Sequence, residues 1–195
     1  MDVPRYELKI NDQVNDVAEV SFVALVDAPA IKRDFLAFKD EPVKIEFNEE
    51  QRIITGPLMV PEQLIYRQSE KFGEHYVFFS APTIKQIAIK FSKKGFQKNV
   101  NIMHEADMQV DGLTMFESFI SDPARGISPM NAFKDLPAGT WFGSFYVENP
   151  AVWDLVKAGK VKGFSVEGMF DYAKPATNDE QKLEALKKFI SQIFN

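Results

Sequence analysis

The chain of 195 residues contains no cysteine. That excludes a disulfide framework, a thiol nucleophile and any thiolate metal site. Histidine is nearly as scarce, with His75 and His104 alone. A multi-histidine metal centre is therefore not expected, and a histidine base has two candidates. No run of about 18 apolar residues occurs, so no span of a bilayer is expected. The first residues, MDVPRYELKINDQ, lack an apolar core, so no signal peptide is expected either. A basic stripe is also missing. The net charge of −5 speaks against sequence-independent binding to nucleic acid, which needs cations to displace counterions. Neither G-x-x-x-x-G-K-[ST] nor G-x-G-x-x-G is present, so nucleotide binding has no support, and no H-E-x-x-H or EF-hand loop suggests a metal. No cofactor is expected.

What is there fits a globular chain, 45% hydrophobic and 26% charged, long enough to bury a core without staples. Phenylalanine is unusually frequent, at 18 residues. Short β-rich segments dominate the first two thirds. Strands are expected at Val17–Val26, Val43–Phe47, Arg52–Val60 and His75–Ser80. Gly56-Pro57 should bend the third of these or hold it at an edge. Ser80-Ala81-Pro82 opens a helix whose Ile84, Ile87, Ala88 and Phe91 share one face, with Gly95 as its C-terminal cap. Strands resume at Asn99–His104 and Gly112–Ile120. Ser121–Asp135 reads as a surface loop. Thr140–Val147 is a strand, Asn149-Pro150 starts a short helix closed by Gly159, and Val161–Phe170 is a last strand. Tyr172–Asn178 reads as a linker. It divides the chain into a main domain at 1–172, a link at 173–178 and an amphipathic helix at 179–195, opened by the capping box Thr177-x-x-Glu180.

Two elements look chemical. Asn99–Glu105 (NVNIMHE) is β-like and ends on a histidine. Gly163–Gly168 (GFSVEG) holds a serine between glycines inside a strand, where glycine lets another backbone or a substrate come close. Taken alone, each is better explained by the plainer reading, a structural histidine and a bulged strand with an ordinary serine. The serine is not the nucleophile elbow of an α/β-hydrolase. Glu167 stands where the second glycine should be, and apolar strand residues follow where a helix is required.

Together with their surroundings, these elements resemble the XkdF-like serine proteases of tailed phages, a branch of the prohead (capsid maturation) proteases. The matching stretches run in order: Phe22–Ile31 with Phe35–Phe38, Thr55–Tyr66, Tyr76–Ser80, Asn99–His104, Gly112–Ile120, Leu136–Trp141 and Val152–Phe170. The resemblance implies an α+β fold like that of the herpesvirus assemblins, a mainly antiparallel, barrel-like core with flanking helices. It implies a serine endopeptidase with Ser165 as nucleophile and His104 as base. Phage scaffolding and major capsid proteins would be the substrates, with self-cleavage as well. The setting would be the host cytoplasm, inside the prohead. A homo-oligomer is compatible with it. The alternative is a structural or assembly protein of the virion that keeps the fold without the activity.

A third residue should orient the imidazole. Glu117 is the first choice, because it interrupts an apolar strand expected to pair as a hairpin with the His104 strand. Glu167, two residues after Ser165, comes next, followed by Asp171 and Glu19. In other prohead proteases a strand resembling E-V-S-L-V…P-A follows the nucleophile. Here Glu19-Val20-Ser21-Phe22-Val23…Pro29-Ala30 precedes it, which suggests a circular permutation and brings Glu19 into consideration. His75 sits where no triad member is expected. Assemblin-like enzymes use an arginine-bearing loop near the oxyanion; Arg125 lies in a loop that nothing in the sequence ties to the site.

Overall fold

The computed structural model describes residues 3–11, 13, 16–27, 46–48, 51–105 and 109–173. In chain order these form β1 (Arg5–Lys9), β2 (Glu19–Val26), β3 (Glu46–Asn48), β4 (Ile53–Met59), β5 (Ile65–Ser69), β6 (Gly73–Phe78), α1 (Ala81–Lys93), β7 (Val100–Ile102), β8 (Leu113–Ile120), β9 (Trp141–Val147), α2 (Pro150–Lys157), β10 (Gly163–Met169) and β11 (Asp171–Ala173). The chain is mixed α+β and mostly sheet. The strands make three sheets, ordered β11-β1-β6-β5, β10-β2-β7 and β3-β4-β9-β8.

A barrel-like core was the expectation, but no closed barrel forms among the described residues. Pro57 gives a physical reason. β3 pairs only with Ile53–Thr55 of β4, and the β4–β9 register shifts between Pro57 and Met59. β10 touches β4 without a ladder to it. Proline has no N–H to offer such a ladder. Gly56-Pro57 thus sits within a strand, past the reach of its neighbour β3.

Burial explains the helices. α1 buries Ile84, Ile87, Ala88 and Phe91, the face expected from their spacing. Gly95 follows its cap with φ +73°, a left-handed conformation that glycine adopts without strain. Asn149 caps α2 by accepting from the N–H groups of Ala151 (3.0 Å) and Val152 (3.3 Å), with Pro150 in the first turn. Val23, Ile54, Ile84, Val100, Trp141 and Phe145 meet in one core shared by all three sheets and both helices.

Three strands escaped the sequence pattern. β1 and β5 mix charged and aromatic residues, and β11 takes in Tyr172 and Ala173, where a linker was expected. The loop after β8 contains two short 3-10 turns, Pro123–Arg125 and Asn131–Phe133, and Phe133 is buried. The expected helix at 179–195 lies outside the described residues.

Candidate active site

The middle sheet carries the two chemical elements. β2 runs between β10, antiparallel, and β7, parallel. Ser165 pairs with Ala24, and Ala24 with Asn101, so the three form one row across the sheet. Glu167 follows Ser165 by two residues and shares its face. The register slips immediately after it, between Glu167 and Gly168. There the β2 backbone comes so close that a Cβ on Gly168 would run into the carbonyl of Glu19. The glycine-rich setting of the serine therefore has a local cause: one glycine admits the neighbouring strand.

His104 lies just past β7. The chain turns there on two consecutive residues of positive φ, Met103 (+55°) and His104 (+62°). Neither is glycine, and each such residue costs about 1 kcal/mol or more. The turn is held by Met103 N–H to the Leu25 carbonyl (2.9 Å), Glu105 N–H to the Ile102 carbonyl (3.1 Å) and Asp27 N–H to the Met103 sulfur (3.4 Å). Strain kept by several contacts is a common mark of a functional site.

The turn sets the imidazole against Glu167. His104 Nδ1 lies 2.9 Å from Glu167 Oε1. A carboxylate can only accept, so Nδ1 carries a proton, and in the neutral imidazole the lone pair is then on Nε2. Nε2 is buried and has no hydrogen-bond partner. Glu167 Oε1 accepts a second hydrogen bond, from Asn101 Nδ2 at 2.6 Å. Ser165, His104 and Glu167 all line one groove of about 1070 Å³. Its walls are largely apolar, with Leu58, Val60, Ile65, Val77, Phe79 and Phe170. Arg67 and Tyr172 stand in the same lining; burial pulls the Arg67 guanidinium below its ordinary value, and Tyr172 opposes that shift.

The other carboxylates fall elsewhere. Glu117 is exposed on β8, which pairs with β9 in a different sheet from β7. The expected hairpin with the His104 strand does not form. After a single bridge between Asn101 and Gln109 the chain turns away at Gly112 (φ +78°), and Leu113 and Met115 enter the core. Glu117 is thus not the partner of His104. Glu19 pairs with Lys90 of α1 and with Lys94, the residue that caps that helix's C-terminus. It stands at the opposite end of β2 from Leu25, the residue that holds the His104 turn. Asp171 is exposed on β11 and is not among the groove-lining residues. Arg125 is exposed and paired with Asp122 (3.3 Å), also away from the groove lining.

His75 is fully buried in the first sheet. Its Nδ1 donates to the Gly73 carbonyl (2.9 Å), and its ring packs among Tyr6, Phe72 and Tyr172. Sequence reasoning missed Asn101 and Ala24. The polar residue inside the apolar run NVNI was the available signal for the first. For Ala24, only the strand register shows its place.

A family model described as "Putative phage serine protease XkdF" matches residues 42–174. That span covers well over half of the chain, and the protein belongs to this family. No curated protein and no solved structure matches it. Among the described residues no helix is long and apolar enough to cross a membrane.

Proposed function

We propose that this member of the XkdF phage serine protease family cleaves peptide bonds by acyl transfer, with Ser165 as nucleophile, His104 as base and Glu167 as the carboxylate that orients it. One observation carries the reading. The Glu167 contact at Nδ1 leaves His104 Nε2 without a partner, on a residue that lines the same groove as Ser165. A free serine hydroxyl is a poor nucleophile near neutral pH and needs such a base.

In the first step Ser165 Oγ bonds to the substrate carbonyl carbon while its proton moves to His104 Nε2. The peptide C–N bond then breaks, and His104 returns the proton to the leaving amine. Water next attacks the acyl ester, giving its proton to His104. The ester C–O bond breaks and Ser165 recovers the proton. Glu167 holds the ring and stabilises its charged form without taking the proton. β10 has no strand on its outer side among the described residues. An extended peptide can hydrogen-bond to such an edge as an added strand.

The reading extends to the substrates expected for a prohead protease, internal scaffolding protein and capsid-protein extensions, with self-cleavage. It also takes the core as a permuted assemblin arrangement. The support for that is the position of β2, between the serine strand and the histidine strand.

Co-expression of the chain with the scaffold and capsid proteins of its own phage tests the proposal. Shortened products are expected with the wild type, and full-length proteins with Ser165→Ala or His104→Ala. Equal shortening by Ser165→Ala would overturn the assignment. Full-length proteins with a folded wild type would instead favour a non-catalytic assembly role.

A further inference from the structure

Asn101 is 2% exposed and lies between Val100 and Ile102 in an otherwise apolar strand. Its amide donates to the same Glu167 oxygen that accepts from His104. Chemistry fixes the orientation of the amide. A carboxylate has no proton to give, so the NH₂ side must face Glu167. That leaves Oδ1 buried with no partner. An apolar residue would avoid this unpaired acceptor, so packing alone does not account for an asparagine here.

We propose that Asn101 is a positioning residue for proton transfer at Ser165. Its Nδ2–H fixes Glu167 Oε1 at one point, and that point sets the orientation and tautomer of the His104 ring. The chain of contacts is Asn101 to Glu167 to His104, with Nε2 left for the serine. The kinetic half of this proposal rests on Ser165 being the nucleophile. The geometric half does not.

The experiment uses the full chain and two readouts. One is the rate at which a fluorophosphonate labels Ser165. The other is the NMR resonance of the His104 Nδ1 proton. In folded Asn101→Leu, labelling should slow about 10- to 100-fold, as expected when a reacting group is misplaced by a fraction of its reach. The half-saturating probe concentration should barely change, and the Nδ1 proton signal should shift or broaden. In a Glu167→Gln background the same substitution should have little further effect. An unchanged rate and resonance would overturn the proposal. So would equal losses in both backgrounds, which would mark Asn101 as merely structural. If the wild type does not label, the protease reading fails and the resonance alone decides the role of Asn101. Should Asn101→Leu not fold, the wild type supplies the test. The Asn101 side-chain NH₂ protons should exchange slowly and lose that protection in Glu167→Gln; fast exchange in the wild type overturns the proposal.

Discussion

Ser165 and Glu167 share a strand face and His104 meets Glu167 because of two small local facts, while Ser165 Oγ makes no hydrogen bond to His104 Nε2. One is the alternation of a strand, which sets Ser165 and Glu167 on the same face. The other is a left-handed pair of residues that turns His104 back over that face. The sequence singles out the serine and the histidine as motif residues. It does not rank Glu167 first among the carboxylates, because strand pairing decides which one meets His104, and Glu117 and Glu167 both interrupt apolar strands. Glu167→Gln should slow Ser165 labelling by roughly 100-fold or more, since an amide can turn its NH₂ towards Nδ1 and favour the wrong tautomer. Ala24 is fully buried in the row between Ser165 and Asn101, where a larger side chain would displace its neighbours. Ala24→Val should therefore abolish most labelling while costing about 1–3 kcal/mol of stability, measured by urea unfolding.

At the scale of elements, β10 depends on its bulge. Gly168→Ala would push β10 away from Glu19 and Val20 and move Glu167 with it. A loss of about 1–3 kcal/mol is expected, read from thermal or urea unfolding, together with slower labelling. The turn after β4 offers a test by pH. Glu62 has φ +61°, and its carboxyl is pushed above its ordinary range, first by desolvation and then by the charge of Glu7. A raised folded-state value means the folded chain holds this proton more tightly. Stability from this group is present at low pH and is lost as pH rises through the carboxylate range. Glu62→Gln should then stabilise the protein at pH 7, by roughly a few tenths of a kcal/mol given its exposure, and leave it unchanged at pH 3. Most strands and both helices were legible here, because apolar periodicity, Pro150 and the glycines Gly95 and Gly159 mark them. β1, β5 and β11 were not. Tyr6 of β1 and Tyr172 of β11 serve an aromatic cluster around His75, and Tyr66 of β5 meets Tyr76, contacts that only tertiary packing assembles.

Across the whole molecule, side chains join sheets that share no ladder. Phe145 of β9 meets Phe164 of β10 with ring centroids 4.9 Å apart, and Phe79 meets Phe170 at 4.9 Å. The excess of phenylalanine, which composition left unexplained, has part of its use there. Lys90 does similar work with charge. Its buried ammonium donates to the carbonyls of Asn11, Asp16 and Ala18, each at 3.0 Å, and so ties α1 to the segment that leads into β2. Lys90→Met should cost about 3 kcal/mol, because the carbonyls and Glu19 lose a buried partner; a urea melt reads it directly. The central proposal is that Ser165 is the nucleophile of the folded chain. Intact-mass analysis after exposure to a fluorophosphonate tests this most directly. One adduct per chain is predicted, located by peptide mapping on Ser165, and absent from folded Ser165→Ala and His104→Ala. A folded wild type without an adduct, or an adduct that persists in Ser165→Ala, would contradict the account.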